Sequence, residues 1–202
     1  MMIKVTFRRP VTIISLCVSI FILTSLTSNK ITSGSTFKGE VDSFLEKYSA
    51  GFSAIPERYN SFGNDYILDT KVMSSWKKIV TLKSKIKFEN NYKQIVSQRL
   101  FLGFYKYENK VKCSAALDSL LACFGNDCAK IKWGEQVSSL KATPSIYIVN
   151  DSEIIVCHIR CEQINNSWEI FKDELIHTFG EENSGVIESG CGGPVEFRKI
   201  VK

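Results

Sequence analysis

One uncharged run, Val11–Leu26 (VTIISLCVSIFILTSL), lies directly behind the basic residues Lys4, Arg8 and Arg9 and decides where the rest of the chain folds. Its sixteen residues are short for a membrane-spanning helix, which needs about 20 predominantly apolar positions. A basic start, a compact apolar run and small residues behind it (Ser25, Thr27) have the form of a secretory signal peptide. The lack of an Ala-x-Ala cleavage site leaves an uncleaved signal anchor as the second reading. In either case the basic cluster stays on the cytoplasmic side and the body of the protein is exported. The expected N-terminal organisation is a signal peptide or signal anchor over 1–28 and a polar, Ser/Thr-rich tether over 29–36.

Export changes how the cysteines are read. With Cys17 in the leader, six remain: Cys113, Cys123, Cys128, Cys157, Cys161 and Cys191. An even number in an exported chain implies disulfides, and all six lie in the C-terminal half. Zinc is the competing reading for Cys123/Cys128 and Cys157/Cys161. On a strand, however, Cys157 and Cys161 would stand about 13 Å apart, against the roughly 4 Å that one tetrahedral zinc requires. We therefore expect disulfides and no metal, with the pairing left open.

The net charge of +5 conceals an asymmetry. Residues 29–112 carry 15 Lys/Arg against 8 Asp/Glu, whereas residues 113–202 carry 8 against 13. Two segments that dock on each other, or one face for an anionic surface, would both use such a split. The densest basic stretch holds Lys78, Lys83, Lys85 and Lys87 between apolar residues. In an exported chain this reads as a face for an anionic envelope component and not for nucleic acid.

Hydrophobic periodicity organises the remainder. Phe37, Val41, Phe44, Leu45 and Tyr48 fall at helical spacing. A short helix is expected at Val72–Lys78, then a strand from Val80 with a turn at Asn90-Asn91, which together give a helical, basic segment with a possible hairpin over 37–98. Residues 99–202 read as a disulfide-rich α+β domain. Its elements are a strand at Arg99–Tyr107, a helix carrying Ala116, Leu120 and Leu121, strands at Ser145–Val149 and Ile154–Cys161, a helix carrying Trp168, Phe171 and Leu175, and a final strand region interrupted at Gly190–Pro194. The order β-α-β-β-α-β is that of a ferredoxin-like sandwich, with both helices on one face of the sheet. In that frame Cys157 and Cys161 face the helices, near Cys113 and Cys123. Tyr147, His158 and Arg160 fall on the opposite face, to be covered by the Phe37–Tyr48 helix or used for binding.

Chemistry-bearing motifs are sparse. The catalytic candidates are Cys191, in a glycine-rich turn, with His158 or His177 as its base. Against this stand a bridged cysteine whose neighbouring glycines permit a tight turn, and a histidine favoured near a helix C-terminus for structural reasons. There is no Cys-x-x-Cys pair and no phosphate-loop spacing, so no redox role and no cofactor are expected. Asn150-Asp151-Ser152 and Asn165-Asn166-Ser167 fit the glycosylation sequon. The reading that emerges is a non-enzymatic binding or accessory protein of the cell envelope. It would be secreted, periplasmic or anchored by a single N-terminal helix, and it would bind a protein or an anionic envelope component. It would touch the membrane through its N-terminal segment if uncleaved. The candidate binding residues are Lys78, Lys83, Lys85, Lys87, Tyr147, His158 and Arg160. The alternative is an extracytoplasmic hydrolase using Cys191 with a histidine.

Overall fold

The computed structural model describes residues 36–56 and 67–201, all within one compact unit, Ser35–Lys202. The expected leader over 1–28 lies outside the described residues, as does the tether apart from Thr36, which caps the first helix. Among the described residues no helix is long and apolar enough to cross a membrane.

Among the described residues, four α-helices and seven strands make up the fold: α1 (Phe37–Tyr48), β1 (Phe52–Pro56), α2 (Ile67–Thr70), β2 (Trp76–Glu89), β3 (Ile95–Lys106), α3 (Lys110–Leu121), β4 (Ser145–Val149), β5 (Glu153–Ile159), α4 (Asn166–Phe179), β6 (Gly185–Ser189) and β7 (Val195–Lys199). The helices start where the sequence supplies caps. Thr36 accepts from the Gly39 amide, Asn109 from Lys112 and Asn165 from Ser167. The strands form one sheet in the order β1-β2-β3-β5-β4-β6-β7, every neighbouring pair antiparallel.

The chain is α+β, but its strand order is not the ferredoxin-like one. In that fold the last strand of the β-α-β-β-α-β series lies beside the first. Here β6 lies beside β4, because the outer edge of β3 is already occupied by β2. The helices follow from this. Strand–helix–strand crossovers are right-handed in nearly all proteins. The crossovers β3-α3-β4 and β5-α4-β6 step the same way across the sheet from strands of opposite direction, so their helices must fall on opposite faces.

The two cores confirm that separation. On one face, α1 and α4 pack Phe37, Val41, Phe44, Trp168, Phe171, Leu175 and Phe179 over Leu100, Leu102, Phe104, Ile155, Cys157 and Ile159. On the other, α3 packs Cys113, Ala116, Leu120 and Leu121, with Leu68 of α2, over Tyr105, Ile154, Val156, Tyr147 and Ile187. The α1 helix therefore does not cover the Tyr147/His158 face as expected; α3 does, and α1 lies beside α4. Phe44 is the centre of the first core, with ring centroids 5.0–6.5 Å from Tyr48, Phe104, Phe171 and Phe179.

Two local expectations also shift. The short helix expected at Val72–Lys78 is displaced to Ile67–Thr70, and Trp76 already begins β2. The boundary expected at 98/99 falls inside β3, whose pairing with β2 makes the hairpin integral to the sheet. Replacing Phe44 by Ala should cost about 3–5 kcal/mol, because the surrounding rings cannot collapse into its volume. Urea denaturation measures this, with the exposed Val111→Ala as a control expected within about 0.5 kcal/mol of the parent.

Candidate functional site

Cross-strand register brings four cations to one place. Lys83 on β2 is paired directly with Arg99 on β3. Arg160 immediately follows Ile159, which pairs with Leu100, so Arg160 comes next to Arg99 one step beyond the end of β5. Neighbouring strands lie about 4.8 Å apart, so Lys83, Arg99 and Arg160 form a cationic row roughly 10 Å long. Lys87 adds a fourth charge past the irregularity between Lys83 and Lys87. Together they line an open hollow of ≈ 320 Å³ with Ile95, Ser97 and Gln163.

This arrangement is not a structural ion-pair network. Lys83, Lys87 and Arg99 make no ion pair among the described residues, whereas Arg160 is partnered, with Glu162 at 3.9 Å. Like charges directly opposite one another across a sheet are destabilising, on the order of 0.2–1 kcal/mol per pair. Several other lysines are neutralised: Lys47 bonds Glu174 at 2.5 Å, Lys78 bonds Asp42 at 2.7 Å, and Lys106 bonds Glu153. Hydrogen bonding from Lys47 also holds the Glu174 carboxyl below its usual range. The hollow is supported from below. The Gln163 side chain accepts from the Arg99 amide, and the Asn90 side-chain amide donates to the Glu162 carbonyl, tying the hairpin end to the turn after β5.

The other expected binding residues lie elsewhere. Lys78 is engaged by Asp42, and Lys85 donates to the Ser49 and Ala50 carbonyls behind α1, which takes both out of the hollow. Tyr147 and His158 are each 3% exposed beneath α3, their rings edge-on with centroids 5.6 Å apart. Arg99, which completes the row, was not singled out in the sequence. Its signal was the hairpin itself, since a turn at Asn90-Asn91 puts residue 99 close to opposite residue 83.

The cysteines divide differently from expectation. Cys123 bridges Cys128 and Cys161 bridges Cys191, while Cys113 and Cys157 are buried as thiols. The latter two sit in different cores on opposite faces of the sheet, so no bond can join them. Burial pushes the Cys113 thiol up to about 12. The strand ends at Ile159, so Cys161 leaves the Cys157 face and meets the Gly190–Pro194 loop, where Gly192 and Gly193 adopt positive φ. Cys191, being bridged, presents no thiol to act as a nucleophile. His177 is exposed in the last turn of α4. Asn150 of the first sequon is enclosed, donating to the Phe179 carbonyl and accepting from Ser184. Asn165 of the second is occupied as the α4 cap.

Two larger hollows lie elsewhere on the surface. One, of ≈ 620 Å³, mixes Lys110, Asp151, Glu181, Glu182 and Lys199 around Trp133, and Lys110 pairs with Asp151 at 2.8 Å. The other, of ≈ 660 Å³, is lined by Glu89, Glu169 and four asparagines. Among the described residues no cluster of His, Cys, Asp and Glu has metal-binding geometry.

Alkylation of the folded protein should leave Cys113 and Cys157 unmodified near neutral pH, since both are buried. Unfolding without reductant should expose those two and leave 123, 128, 161 and 191 blocked, as read by peptide mapping. Cys161→Ser should lower stability by about 2–4 kcal/mol, more than Cys123→Ser, because its bond closes a 30-residue separation and not a 5-residue one. Compared with known proteins, the chain matches no family model, no curated protein and no solved structure.

Proposed function

We propose that this is a non-enzymatic binding protein, exported or membrane-tethered, that engages an anionic component of the cell envelope through Lys83, Lys87, Arg99 and Arg160. The observation that carries this reading is the cationic row across β2, β3 and β5, three of whose four members have no ion pair among the described residues. A fold tolerates unneutralised like charges in register where an outside anion relieves them. The two disulfides support an oxidising, extracytoplasmic setting, where such bonds persist. The hydrolase reading has no comparable support, because Cys191 is held in a disulfide.

Soluble inorganic polyphosphate is a suitable probe. The full chain should bind it at low ionic strength, with affinity falling as salt rises. The K83Q/R99Q variant should lose about tenfold or more, whereas K78Q, whose lysine is already paired with Asp42, should bind like the parent. Equal binding by K83Q/R99Q and the parent would remove the basis for this function.

A further inference from the structure

The same hairpin carries a second, apolar feature. Three large side chains near its end are open to solvent: Ile86 at 75%, Tyr92 at 71% and Ile95 at 65%. Singly exposed apolar residues need no explanation, but here three share one turn and its flanking strand ends. Between residues 83 and 99 the chain has five basic residues, Lys83, Lys85, Lys87, Lys93 and Arg99, against one acidic residue, Glu89. Register puts Ile95 on the same face as Lys87, Ser97, Arg99 and Lys83, with Glu89 directly opposite it, so this apolar side chain and the cations confront the same plane.

The turn that presents Tyr92 is held in shape. Asn90, 8% exposed, accepts from the Tyr92 and Gln94 amides through its side chain. Its backbone amide donates to the Gln94 carbonyl and its carbonyl accepts from Lys93. Tyr92 is therefore offered to solvent on a hydrogen-bonded turn.

We infer that the anionic partner is a lipid bilayer surface, on which the β2–β3 hairpin end docks with Ile86, Tyr92 and Ile95 among the head groups. This rests on the reading of Lys83, Lys87, Arg99 and Arg160 as an anion-binding row, and names its occupant. A soluble polyanion would satisfy the cations and leave the three apolar side chains in water. An anionic membrane satisfies both, since its head groups attract Lys and Arg and its interface takes up aromatic and aliphatic groups. Tyrosine suits that position because its ring is apolar and its hydroxyl remains hydrated.

The test needs a readout at the hairpin itself, because the Val11–Leu26 run can hold the full chain on any bilayer. Full-length Tyr92→Trp protein is mixed with vesicles of phosphatidylglycerol and brominated phosphatidylcholine, and in parallel with brominated phosphatidylcholine alone. The parent chain, with its three native tryptophans, supplies the background. The expected result is loss of the introduced tryptophan's emission in the anionic vesicles and none in the neutral ones. Adding I86S/I95S should abolish that loss, and adding I86S alone, outside the hollow, should weaken it while leaving polyphosphate binding at the parent level. Adding K83Q/R99Q should abolish both. An unquenched indole at the hairpin end on anionic vesicles, with polyphosphate binding intact, would overturn the membrane assignment and leave the polyanion reading standing. Quenching that is equal in neutral vesicles, or that survives I86S/I95S, would also overturn it. Failure of the parent chain itself to bind polyphosphate would remove the reading on which the inference rests.

Discussion

The long pairing between β2 and β3 is the constraint on which the rest of the architecture depends. It runs from Trp76↔Lys106 to Glu89↔Ile95 and occupies the edge of β3 that a ferredoxin-like sandwich would give to its last strand. Displaced from that edge, β6 pairs with β4, and its crossover must swing across the other face of the sheet. One sheet thereby acquires two cores, one under α1 and α4 and one under α3. The far end of the same hairpin borders the N-terminus of α4 through residues 88–91 and leaves Ile86, Tyr92 and Ile95 open to solvent.

Placing helices on both faces decides the fate of the cysteines. Cys113 rides on α3 in one core and Cys157 points from β5 into the other, so a sheet separates them and each is a small apolar core residue. The bridged cysteines are those in irregular segments, where side chains are not committed to a face. Cys161 follows the end of β5 and reaches the β6–β7 loop, which stitches two strands whose order in the sheet is not adjacent. Cys123 and Cys128 close the short turn behind α3.

Charge is used in two ways. The basic first half and acidic second half do dock, through Lys47–Glu174 and Lys106–Glu153. Exposed pairs of this kind contribute little to stability, about 0–1 kcal/mol each. What they leave over is more informative, because Lys78 and Lys85 find partners near α1 while Lys83, Lys87 and Arg99, brought to one face by the register, have no ion pair among the described residues. A residue count cannot separate these groups. Lys83 and Lys85 lie two positions apart, yet one faces an arginine across the strand and the other closes on the carbonyls behind α1.

The amino-acid sequence alone determined the local elements with strong periodicity. The α1 and α4 stripes, the hairpin turn at Asn90, the strand pair around Asn150-Asp151, the glycine turn before β7 and the presence of disulfides were all readable from it. Apart from the disulfides, which were read from the number of cysteines, each of these depends on residues close to one another in the chain, where spacing and caps dictate the outcome. Strand order, the face each helix covers, the pairing of the cysteines and the meeting of Lys83 with Arg99 and Arg160 were decided only by the tertiary structure. These depend on which sheet edge is free when a distant strand arrives, and burial energy is nearly blind to that choice until the competing edge is filled.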